Sequence, residues 1–179
     1  SAPPWILAAP GGSQMAVSGR LGWLAQDPSF RKLLAQSPQA EQALEIFLQR
    51  AHIDPAKDSG RLTLHLLDAP DETKPTHGFL LALDQFQDPK ALQMALASSF
   101  PPEGTLRWNG KDCPLHVILD VDSPKLKAHL RALGDPDGRI WIGDLDTLTK
   151  AANGAFGPSE GLAKAAAWIT PQAPIQGFL

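Results

Sequence analysis

The sequence predicts an α+β domain, an antiparallel sheet with helices on one face. Three observations carry this. Six pairs, Asp27-Pro28, Ser37-Pro38, Asp54-Pro55, Asp88-Pro89, Ser123-Pro124 and Gly157-Pro158, read as helix starts. An Asp or Ser side chain accepts a hydrogen bond from the free N–H groups of a first turn. The Pro beside it lacks an N–H that would be orphaned anyway, and its φ is already helical. Between these starts the hydrophobic period falls to two, with Leu62, Leu64 and Leu66 alternating with Thr63, His65 and Leu67, which is a strand signature. Finally, Asn109-Gly110 lies between two apolar runs, a strong hairpin signal.

The elements follow in order. Residues 1–27 read as an extended arm rich in Pro and Gly, ending in a short strand at 15–21, and residues 28–179 as one domain. A helical pair is expected over 28–52. Phe30, Leu33 and Leu34 share one face of the first helix, and Ala40, Leu44, Phe47, Leu48 and Ala51 share one face of the second, with Glu41 and Glu45 outside. The sheet core spans 61–143, with strands at 62–67, 78–84, 105–108, 114–120 and 139–143 and helices at 89–99 and 124–133. Leu126, Leu130 and Leu133, at i, i+4 and i+7, suggest the second of these helices. C-terminal helices are expected at 145–152 and 158–168, within 144–168.

From Gly78 the order is strand, helix, strand, strand, helix, strand, which is the split βαβ (ferredoxin-like) order over residues 78–143. It makes the apolar runs 79–83 and 115–119 adjacent, central and parallel, and places the strands carrying Arg107 and Arg139 at the edges. An antiparallel hairpin of 62–67 with 78–84 is the competing arrangement.

Composition excludes several classes. The chain has 179 residues, 43% hydrophobic and 20% charged, with net charge -3. That is enough chain for a core without metal or disulfides, and it lacks the basic stripe that nucleic-acid binding requires. The apolar runs are too short for a transmembrane helix. Cys113, the one cysteine, fits a cytoplasmic protein or an exported one that does without a bridge.

No catalytic motif appears, and no catalytic residue or cofactor is predicted. Cys113 and His116 have Cys-x-x-His spacing, but residues three apart on a strand point to opposite faces. His65 and His116, both on predicted strands, form the only metal alternative, provided that they face one another across the sheet. The pairs Asp120/Asp122, Asp135/Asp137 and Asp144/Asp146 sit where caps and turns use Asp. Among five tryptophans, Trp108 and Trp141 fall on predicted edge strands and Trp5 lies with Ile6 and Leu7 in the arm. These five residues, Trp5, Ile6, Leu7, Trp108 and Trp141, are the candidate partner anchors.

Gly78-Phe79-Leu80, Phe86-Gln87-Asp88-Pro89 and Ile142-Gly143-Asp144-Leu145, with Ile53-Asp54-Pro55 upstream of a strand, give residues 78–152 their character. This stretch resembles a type of bacterial exported α+β protein of unknown function with strand-Gly-Asp-helix units. The resemblance implies an extracytoplasmic, periplasmic location, with a cytoplasmic one as the alternative, and carries over no catalytic residue. The expected function is a non-enzymatic binding or accessory subunit contacting another protein, with a homo-oligomer left open. Two alternatives stand beside it: a small-molecule or metal-binding protein with a pocket near His65 and His116, and a hydrolase whose site has no recognisable motif.

Overall fold

The computed structural model describes residues 15–35, 37–57, 60–67, 78–84, 86–125, 127–154 and 175–178. Residues 1–14, with Trp5, Ile6 and Leu7 of the expected arm, residues 68–77 and the expected helix at 158–168 lie outside the described residues. The chain runs β1 (Met15–Arg20), α1 (Leu21–Leu24), α2 (Pro28–Ala35), α3 (Pro38–Arg50), β2 (Arg61–Leu66), β3 (Phe79–Asp84), α4 (Pro89–Ser99), β4 (Pro102–Trp108), β5 (Lys111–Asp122), β6 (Lys127–Gly134), β7 (Ile140–Asp144), α5 (Leu145–Asn153) and β8 (Ile175–Phe178). The strands form one sheet in the order β4-β5-β6-β7-β3-β2-β1-β8, and every neighbouring pair is antiparallel. The chain is therefore α+β.

Local chemistry explains most starts and turns. Asp27 accepts from the Phe30 amide at 2.7 Å and Asp88 from the Ala91 amide at 3.0 Å, so both cap helices that begin with Pro. Ser37-Pro38 opens α3 without a side-chain cap. Asp54-Pro55 and Ser123-Pro124 form turns instead. The same residue types serve both purposes, since Asp can close an Asx turn and Pro presets φ for either. Between β4 and β5, Asn109 and Gly110 have φ of 47° and 80°. Positive φ at both central residues is what a type I′ hairpin demands.

The split βαβ order does not form. β3 and β5 are separated by β7 and β6, and β3 pairs antiparallel with β2 and β7. The cause is local. Residues 127–134 form strand β6 rather than a helix, so nothing carries the chain across the sheet after β5. A parallel pair needs such a crossover, whereas a short turn gives an antiparallel one. The chain from β4 to β7 is consequently a meander, and the hairpin of 61–66 with 79–84 forms as the competing arrangement required. β7 is central rather than an edge, while β4 is an edge. The expected short strand forms at residues 15–20 and belongs to the sheet, paired with β2 and β8.

The helices do not lie on one face. The core on the first face joins Phe30, Leu34, Ala40, Leu44 and Phe47 of α2 and α3 and Leu92 and Leu96 of α4 to Leu62, Leu81, Leu130 and Ile142 of the sheet. The second face carries its own core, where Leu148 and Ala151 of α5 join Leu80, Trp108, Cys113, Leu133 and Trp141. Being covered on both sides, β3 is buried at every position, which is why it reads as a continuous apolar run.

The alternation in β6 provides a test. Ala128, Leu130 and Ala132 share the first face and are 1%, 0% and 0% exposed, whereas a helix with Leu126, Leu130 and Leu133 inside would turn residue 128 away from them. Replacing Ala128 with Asp buries an unpaired carboxylate and is expected to lower stability by about 3 kcal/mol or more in denaturant unfolding. Wild-type stability in Ala128→Asp would contradict the strand.

Candidate binding site

Three assemblies of side chains stand out, two polar and one apolar. The first polar assembly lies on the second face across β1, β2, β3 and β7. Ser18 and Thr63 share a hydrogen bond of 2.8 Å, and Arg61 donates to the Ser18 hydroxyl at 3.0 Å. Asp84, 7% exposed, lies 3.5 Å from Arg139 Nε. Burial pushes the Asp84 carboxyl above its ordinary pKa, opposed by the charges of Arg139 and Arg61. Asp135 then ties the β6–β7 turn to the core. Its carboxylate accepts from the Asp137 and Arg139 amides at 2.9 and 3.0 Å and from the Trp141 indole at 2.8 Å.

The second polar assembly centres on Arg131, whose side chain is 4% exposed. Its guanidinium donates to both oxygens of Asp120, at 2.6 and 3.1 Å, and to Glu103 at 3.4 Å. His129 Nδ1 lies 3.0 Å from the same Asp120. The hydrogen bond from Arg131 holds the Asp120 carboxyl below its ordinary pKa, as bidentate charge-assisted pairing does. Asp120 is therefore an ion-pair partner on β5 and caps no helix, since the helix expected after it is absent. Asp144 does cap, accepting from the Asp146 amide at 3.0 Å to open α5.

The sequence-predicted site residues are placed as follows. Trp108 and Trp141 are each 1% exposed and pack on one another with ring centroids 5.1 Å apart. They are core residues of the second face and present no surface to a partner. His65 lies beside Trp141, centroids 5.7 Å apart, on that same face. His116 points to the other face, where its Nδ1 meets the Phe100 carbonyl oxygen at 3.1 Å. Four strand spacings separate β2 from β5, about 19 Å. The structure thus does not bring His65 and His116 into one pocket, and among the described residues no group of three metal-ligating side chains occurs. Cys113 and His116 diverge to opposite faces as the strand period requires. Cys113 is buried in the second core, and burial raises its thiol pKa, the environment of an unreactive cysteine.

The open assembly is a cleft of about 140 Å³ between α1, α2, α3 and β2. Leu21 and Leu24, Phe30 and Leu34, Leu44 and Leu48, and Leu62 supply apolar walls from each element in turn, while Ala25, Arg31, Glu41 and Glu45 also line it. The sequence dictates this shape. Ala40 and Ala43, both 0% exposed, let α3 lie close to the sheet. Its larger residue Phe47 stacks on Phe100 at 5.5 Å and an interplanar angle of 7°, anchoring the far end of the helix. α1 is seated against the 54–57 turn at Gly22, where a Cβ would stand 2.6 Å from the Pro55 carbonyl oxygen. The one-turn α1 and the eight-residue α2 leave uncovered the space that a longer helix would close. Sequence reading found the stripes of α2, α3 and β2 but took residue 21 into a strand and missed α1. The signal for a cleft was the brevity of the two stripes before α3.

Comparison with known protein families, curated proteins and solved structures finds no match.

The buried His65 sets a pH dependence. Burial lowers its pKa from 6.5 to about 4, so the folded state holds the ring neutral. Its contribution to stability is complete above pH 6.5 and is lost as pH falls from 6.5 towards 4, by about 3 kcal/mol in all. Unfolding free energy measured across that range should fall less steeply for His65→Gln than for wild type. Parallel curves would contradict this assignment.

Proposed function

We propose that this protein is a non-enzymatic binding or accessory subunit and that it holds another protein through the cleft beneath α1, α2 and α3. The single observation behind this reading is the cleft itself, an apolar cavity of about 140 Å³ with charged residues among those lining it. That volume is close to the roughly 150 Å³ of an engineered cavity that holds one benzene, a fitting size for one large apolar side chain. An apolar centre surrounded by polar residues is how protein interfaces seat an anchoring residue. The polar assemblies support the same reading from the other side. Arg131 is paired with both oxygens of Asp120 and Asp135 accepts from two amides and an indole, geometry that holds a sheet.

The residues resembling bacterial exported proteins, Gly78-Phe79-Leu80 and Ile142-Gly143-Asp144 among them, favour an extracytoplasmic setting. Among the described residues, no helix is long and apolar enough to cross a membrane.

Ala25 is exposed and lines the cleft, so Ala25→Trp blocks it without removing core atoms. Wild type and Ala25→Trp, each purified from the native cell envelope, should melt within a few degrees of each other, and only wild type should retain a stoichiometric protein partner. Equal retention of the partner by both would overturn the cleft as its seat. A small molecule retained in place of a protein would transfer the cleft to the small-molecule reading.

A further inference from the structure

Two stacked carboxylates stand at the cleft. Glu41 and Glu45 of α3 are spaced i, i+4 and both line it, so they project from the same side of the helix. Among the described residues neither forms an ion pair. Like charges at this spacing destabilise a helix. For Glu41, in the first turn of α3, the helix dipole offsets part of that cost. Glu45, one turn further on, has no such offset. Arg31 on α2 also lines the cleft, which leaves a net negative charge of one at the opening.

We infer that the guest of this cleft is a segment of a partner protein in which a large aliphatic or aromatic residue is flanked by lysine or arginine. The apolar side chain enters between Leu24, Phe30, Leu44 and Leu62, and the cation settles against Glu41 and Glu45. The apolar contact supplies the affinity. The charge supplies the choice among apolar segments, since rim charges govern specificity and rate of encounter more than depth of binding. The inference rests on the reading of the cleft as a protein-binding site and adds the chemistry of what it selects.

The probes are three short acetylated and amidated peptides in a Gly/Ser background: Leu between two Lys, Leu between two Glu, and Gly between two Lys. Each is titrated into the isotope-labelled full chain and followed by amide chemical shifts. The Leu/Lys peptide should shift amides of residues 21–25, 30–34 and 41–48, and it should bind about tenfold more tightly than the Leu/Glu peptide at low salt. The Glu41→Gln/Glu45→Gln double variant should keep its fold and lose that preference while still binding both Leu peptides. Equal binding of the Leu/Lys and Leu/Glu peptides by wild type overturns the inference but leaves the cleft reading standing. Equal binding of the Gly/Lys and Leu/Lys peptides overturns it too, because charge alone would then be recognised. Absence of shifts at the cleft with either Leu peptide overturns the inference together with the reading on which it rests.

Discussion

The constraint on which the rest of the structure depends is that the central strands are covered on both faces. β3 has no exposed position, and β2 and β7 come close to the same state. A polar group placed there has no water to turn to, and burying it without a partner costs free energy. Several polar residues of this region therefore meet one another. Ser18 pairs with Thr63 and receives Arg61, while Asp84 faces Arg139. Asp135 gathers two backbone amides and an indole. Such pairing is weak evidence for extra stability, because desolvation offsets the attraction between the charges. Its effect is to fix register, since a slip of one residue would turn each of these groups into the opposite apolar core.

The same constraint shows which parts of the fold were legible in the sequence. The helices α2, α3 and α4 are written in local signals, a Pro at the start and a stripe of one period, with an Asp cap on α2 and α4. The Asn109-Gly110 hairpin is equally local, because positive φ at two successive residues leaves few alternatives. What failed was residues 127–134. Leu-Arg-Ala-Leu satisfies a helical stripe and also a strand buried on both faces, and periodicity alone cannot separate the two. Pairing with the twelve-residue β5 decides in favour of the strand, and that is a long-range fact. From this one segment the error in topology followed. With a helix there the chain reads as split βαβ, and without it as a meander.

The candidate site was less legible for a related reason. A cleft is a property of how elements fail to meet, and each wall of this one looks like ordinary core in its own stretch of sequence. Leu24, Leu34 and Leu44 carry no mark that distinguishes them from Leu96, a core residue 1% exposed. The tryptophans misled in the opposite way. Trp108 and Trp141 looked like surface anchors when their strands were taken as edges. They became core once β7 proved central and α5 covered the second face. The function we propose rests on shape and charge at a boundary between short helices, not on the polar clusters that attract attention in a sequence.

The central claim is that the space between α1, α2, α3 and β2 is a real apolar cavity open to a guest, and xenon reads this most directly. A crystal of the full chain pressurised with xenon should show the gas bounded by Leu24, Phe30, Leu44 and Leu62, since xenon enters dry apolar cavities of this size. Finding that volume filled by the chain's own side chains, with no xenon there, would contradict the account.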